Sequence, residues 1–177
     1  IQLPVRTRTG MVPIAPLAKD GLASWLTSQP EKIGRWVAGS GFTAAPGTVC
    51  LLPGGDGAPA RVLAGFDAPG DLWSYAGLPE RLPAQPSGGG YAIDATLDPA
   101  AATRAALGWT LGTYTFTKYR KAARAYADLA WPAGADQAAV RRTAEATVLV
   151  RDLINTPAED MGPAELAAAA RHLARTH

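Results

Sequence analysis

The chain has a single cysteine, Cys50, among its 177 residues, and one thiol excludes any disulfide within the chain. Flanked by Val49 and Leu51, it reads as an inert, buried strand residue. Histidine is nearly as scarce. His172 and His177 have no cysteine or carboxylate pattern around them, so neither makes a metal site, and both read as solvent-facing. No charge of one sign prevails: 17 basic residues stand against 15 acidic ones, leaving no basic half to drive nucleic-acid binding. Long apolar runs are missing too, as is a secretion signal, so the expectation is a cytoplasmic protein with no membrane partner. Ser24, Ser28, Ser40, Ser74 and Ser87 include no G-x-S-x-G elbow, which removes the simplest nucleophilic hydrolase.

What is present argues for a folded α/β protein. Hydrophobic residues make up 47% of the chain and five tryptophans are spread along it, which a disordered chain would not carry. Val12 to Leu17 reads as a strand that Pro13 and Pro16 confine to an edge or an irregular start. Two short helices are expected at Lys19 to Thr27, burying Leu22, Trp25 and Leu26, and at Glu31 to Ala38, burying Ile33, Trp36 and Val37. Thr48 to Leu52 and Ala60 to Phe66 are continuous apolar runs, suited to central strands, with Gly54 to Gly57 as the hairpin turn between them. Asp71 to Leu78 reads as a short helix packed through Trp73 and Tyr75, followed by a loop over Pro79 to Gly90 and a strand over Tyr91 to Asp94. Asp98-Pro99 is a strong helix start, and that helix runs to about Tyr114, with Gly108 and Gly112 on one face allowing close approach to the sheet. A strand at Ala125 to Trp131 and a long helix from Asp136 complete the pattern, which predicts a mixed, partly parallel sheet of about five or six strands flanked by helices.

Several motifs carry no chemistry. Gly88-Gly89-Gly90 precedes a strand, whereas a phosphate-cradling loop follows one and opens a helix, so it reads as a flexible loop. Lys118, Arg120, Lys121 and Arg124 read as a solvated segment in preference to a phosphate site. Trp109, Tyr114, Phe116 and Tyr119 read as core and interface packing in preference to a stacking platform.

The stretch from Arg151 to Leu166, RDLINTPAEDMGPAEL, can be read physically first. An apolar helical face over Leu149, Leu153 and Ile154 is stopped by Pro157, and a second helix starts around Gly162-Pro163, with Glu165 in its first turn. Asn155 and Thr156 read as a helix stop whose side chains bond local backbone. The same stretch resembles the R-D-L-[IV]-N-T-P…M-x-P-x-x-L connector of the cytosolic leucyl aminopeptidase family. Gly41-Phe42 through Pro46-Gly47, and Leu107 to Tyr114 with Phe116 and Tyr119-Arg120, are similar in order and spacing to that family's N-terminal domain.

The resemblance implies a macro-domain-like N-terminal α/β domain over residues 1–134, then a linking helix and connector over 135–177 leading to a catalytic domain beyond. It also implies an intact homo-hexamer that removes N-terminal residues from peptides with two divalent ions, zinc or manganese. The family's N-T-D-A-E-G-R metal loop is absent here, since the only Asn-Thr, at Asn155, is followed by Pro157. No catalytic, cofactor-binding or metal-ligating residue is therefore expected in this chain. The alternative is a stand-alone macro-like module that binds a nucleotide or other small ligand.

Overall fold

In a computed structural model, which describes residues 1–7, 9–84, 86, 89–119, 121 and 124–176, the chain forms a five-stranded mixed sheet with helices on both faces. The strands are β1 (Val12–Leu17), β2 (Val49–Pro53), β3 (Pro59–Gly65), β4 (Gly90–Ile93) and β5 (Asp128–Leu129). The helices are α1 (Gly21–Thr27), α2 (Glu31–Gly39), α3 (Leu72–Ala76), α4 (Leu78–Arg81), α5 (Pro99–Gly112), α6 (Gln137–Asn155) and α7 (Pro163–Thr176). Strand order is β2-β3-β1-β4-β5, parallel throughout except for the β2–β3 hairpin. Val5 adds an isolated bridge to Ala130 beyond β5.

The alternation of side chains along each strand divides the core between the two faces. Val12, Ile14, Val62, Ala64, Tyr91 and Leu129 point to one side and pack under Tyr75 of α3, Leu78 of α4, and Ala105 and Trp109 of α5. Ala15, Leu63, Cys50 and Leu52 point to the other and meet Val37 of α2 together with Phe42. Helix α6 then packs on α5 as an outer layer, burying Val140 and Ala144.

Several expectations need correcting. Strand β1 is the middle strand, not an edge, although it contains two prolines. The Ile14 carbonyl accepts from Asp94, on the β4 side, and the Leu17 carbonyl accepts from Phe66, on the β3 side. Alternation along a parallel ladder therefore turns Pro13 toward β3 and Pro16 toward β4. Pairing with β3 begins only at Ile14, and pairing with β4 ends at the Ile14–Ile93 pair, so each missing N–H falls where no ladder bond is required. Conversely, the apolar run in β2 forms an edge strand and not a central one.

The strand expected over Ala125 to Trp131 shrinks to Asp128–Leu129, and the loop expected from Pro79 starts within α4. Trp73 is 69% exposed and Trp36 49%, so neither is the core residue that helical spacing suggested. Leu22, Trp25, Leu26 and Ile33 pack only partly buried. Gly108 and Gly112 serve a helix instead of the sheet: a Cβ on Gly108 would stand 2.3 Å from the Leu72 carbonyl oxygen, and one on Gly112 2.2 Å from that of Ala76. They let α5 seat against α3 at backbone distance.

Candidate functional site

A set of specific polar contacts lies where α6 ends. Asp136 starts that helix by accepting from the Ala139 N–H at 2.9 Å, and Pro157 prevents it from continuing past Asn155. Thr156 turns extended and is buried, donating both its N–H (3.0 Å) and its hydroxyl (2.7 Å) to the Asp152 carbonyl. That is the local stop read from the sequence. Asn155 differs from the expectation, because its amide donates at 3.0 Å to the hydroxyl of Tyr114, 41 residues earlier, and not to local backbone.

Tyr114 is the hub. Its hydroxyl donates to the Asp152 carboxylate at 2.7 Å, while the Arg151 guanidinium lies 5.2 Å from its ring centroid and donates to the Leu111 carbonyl at 3.1 Å. Desolvation, followed by the bond to Asp152, raises the phenol's pKa, so Tyr114 stays protonated and remains the donor. Arg151, Asp152, Asn155 and Thr156 thus all bind the end of α6 to itself or to the end of α5.

A second clip holds the connector beyond. Asp160 accepts from the Tyr119 hydroxyl and pairs with Lys118 at 3.8 Å, with the Lys118 ammonium 5.3 Å from the Tyr119 ring. These groups are half exposed, so solvent screens the clip and it adds little to stability. Between the two clips lies a cleft of about 410 Å³ lined by Tyr114, Thr115, Thr117, Lys118, Asp152 and Thr156. Its polar side chains are engaged with one another, Tyr114 with Asp152 and Lys118 with Asp160. In the basic segment, Arg124 donates to Glu80 and to the carbonyls of Glu80 and Leu82, while Lys118 serves Asp160. Arg120 lies outside the described residues.

The carboxyl edge of the parallel strands is where an open α/β sheet binds ligands. Here it offers a crevice of about 570 Å³ lined by Ala18, Lys19, Asp20, Pro46, Phe66 and Asp67. Every helix that follows a parallel strand begins at an aspartate: Asp20 before α1, Asp71 before α3, Asp98 before α5 and Asp136 before α6. Asp71 accepts from the Ser74 N–H, Asp98 from Ala101 and Asp136 from Ala139. Carboxylates therefore occupy or guard the helix N-termini that a nucleotide's phosphates would use. Among the described residues no group of three or more His, Cys, Asp or Glu side chains comes together to hold a metal ion. No helix is long and apolar enough to cross a membrane.

Residues 12–132 match the family model for the M17 aminopeptidase N-terminal domain, and the chain belongs to that family. It is 29% identical over 179 residues to the "Probable cytosol aminopeptidase" of Leifsonia xyli subsp. xyli, with 89% of this chain and 32% of that protein covered. The crystal structure of cytosol aminopeptidase from Coxiella burnetii superposes with a TM-score of 0.86 at 38% identity, over 97% of this chain and 37% of that one. The bottromycin maturation enzyme BotP matches at 26% identity and a TM-score of 0.64, over 94% of this chain and 37% of its own. The chain thus spans about a third of the length of these relatives. It holds that family's N-terminal domain and is similar to the corresponding third of cytosol aminopeptidases.

Proposed function

We propose that this chain is a non-catalytic positioning domain. Residues 1–134 form the α/β body, and residues 135–177 form the linking helix and the route to a catalytic domain downstream. The intact enzyme is a cytoplasmic homo-hexamer that hydrolyses N-terminal residues from peptides with two divalent ions, zinc or manganese. A BotP structure at 23% identity is described as a complex with Mn, which is a property of that protein. The residues of this chain do not fit such ions, because no ligand set gathers among the described residues. A two-metal site needs several ligands converging on ions about 4 Å apart.

One observation carries the reading. The family-like connector spends Arg151, Asp152, Asn155 and Thr156 on fixing the end of α6 against α5, and none of them on a reactive centre. Purified chain should give no turnover of a leucyl amide with added Mn²⁺ or Zn²⁺, whereas a polypeptide extended through the downstream region should give it. Turnover by the 177-residue chain, free of contaminants, sinks the proposal. Saturable binding of ADP-ribose at micromolar concentration in calorimetry would favour the binding-module alternative, which the four aspartates at the carboxyl edge oppose.

A further inference from the structure

Strand β2 is the end of the sheet, and none of its residues is charged: Thr48 to Pro53 reads Thr-Val-Cys-Leu-Leu-Pro. Such an edge is a template for pairing with another chain unless something blunts it. The Gly65 N–H donates to the Thr48 carbonyl at 2.9 Å, so Thr48 faces β3. Alternation along the antiparallel ladder then turns the backbone groups of Cys50 and Leu52 inward and those of Val49, Leu51 and Pro53 outward.

Two features meet those outward groups. Pro53 has no N–H to offer, and a register irregularity sits beside it at Leu52/Pro53. The Trp36 indole N–H donates at 3.0 Å to the Leu51 carbonyl. Trp36 is half exposed and lies outside both core clusters, so the core does not account for its position.

We propose that Trp36 holds shut a self-complementary strand edge, and that the partner it excludes is a second copy of this chain. Two β2 strands related by a two-fold axis near Cys50 would set Val49 of one copy opposite Leu51 of the other, twice. Each such pair exchanges both N–H···O bonds, making four in all. Trp36 in each copy occupies a Leu51 carbonyl, removing two of the four acceptors, and its ring stands in the path of the incoming strand.

The test uses Trp36→Phe, which removes only the indole N–H and some ring area, and Trp36→Ala, which also clears the edge. Sedimentation over a range of concentrations should show both variants self-associating about tenfold or more tightly than wild type, the alanine variant more strongly. In both, hydrogen exchange at the Val49 and Leu51 amides should slow as concentration rises. Native-like circular dichroism with wild-type sedimentation in both variants overturns the proposal. So does self-association that leaves those two amides exchanging as before, because another surface is then responsible. If the alanine variant does not fold, the phenylalanine variant decides by the same two readings.

Discussion

At Gly108 the α5 backbone comes so close to α3 that a methyl group would sit 2.3 Å from the Leu72 carbonyl and 3.0 Å from the Tyr75 Cβ. The obstruction is mostly backbone, which cannot rotate away. Gly108→Ala should therefore destabilise by at least about 1–3 kcal/mol despite alanine's higher helix propensity. Gly34, inside α2, has nothing within 4 Å of the same added atom, so Gly34→Ala should stabilise by up to about 1 kcal/mol. Thermal denaturation of the two variants beside wild type checks both signs. The spacing of Gly108 and Gly112 was legible in the sequence as a demand for close packing, but the partner was not, because helical periodicity says which face is small and nothing about what lies against it.

Tyr91 and Tyr75 give a residue-scale test in pH. Burial pushes the Tyr91 phenol from an ordinary 10.0 up to about 12 and raises Tyr75 as well. A raised folded-state value means that the folded chain keeps its proton where the unfolded chain loses it. The stability from these phenols is thus complete below pH 10 and falls as the pH rises from 10 toward 12. Tyr91→Phe forfeits the bond to the Pro83 carbonyl, at a cost of about 1 kcal/mol near neutrality, but should make the alkaline decline shallower. Urea denaturation at neutral pH and at two alkaline values measures both effects, and an unchanged alkaline slope would mean that Tyr91 ionises as readily when folded as when unfolded.

Among the elements, the helices were more legible than the sheet order. Asp98-Pro99 and Asp136 gave helix starts that the structure matches, since an aspartate N-cap is a local device whose partner is two or three residues away. The centre and edge of the sheet were exchanged because strand composition reports burial, while the tolerance of Pro13 and Pro16 depends on where each neighbouring ladder stops. The connector was legible as a helix stop but not as a tether, since Tyr114 and Asp152 are 38 residues apart.

That tether makes a prediction about one element. Tyr114→Phe removes the donor to Asp152 and the acceptor for Asn155, and Asp152→Asn removes the charge that makes the first bond strong. Each should cost about 1–2 kcal/mol locally. Amide exchange at Thr156 and Asp160 should accelerate by about tenfold, while exchange in β1 and β3 stays as in wild type. Unchanged exchange at Thr156 would mean that Pro157 and the local Thr156 bonds fix the connector without Tyr114.

At the scale of the whole molecule, the distribution of apolar surface supports the proposal that a further domain lies downstream. Val150 and Ile154, four apart on α6, are 53% and 76% exposed, and Leu166 and Leu173 on α7 are 53% and 44% exposed. No α7 residue from Pro163 to Arg175 is buried. Monomeric proteins seldom leave large apolar residues aligned in this way. A helix held by so few buried contacts opens at low free-energy cost, whereas α5 opens only with the core that includes Ala105 and Trp109. In dilute solution the α7 amides should therefore exchange well before those of α5 and α6, with α6 intermediate because Val140 and Ala144 anchor its first half. In a polypeptide extended through the downstream domain, protection of α7 and of the Val150–Ile154 turn should rise together as one surface covers both. Protection of α7 equal to that of β1 in the 177-residue chain would show that the helix belongs to this domain's own core and needs no second domain to cover it.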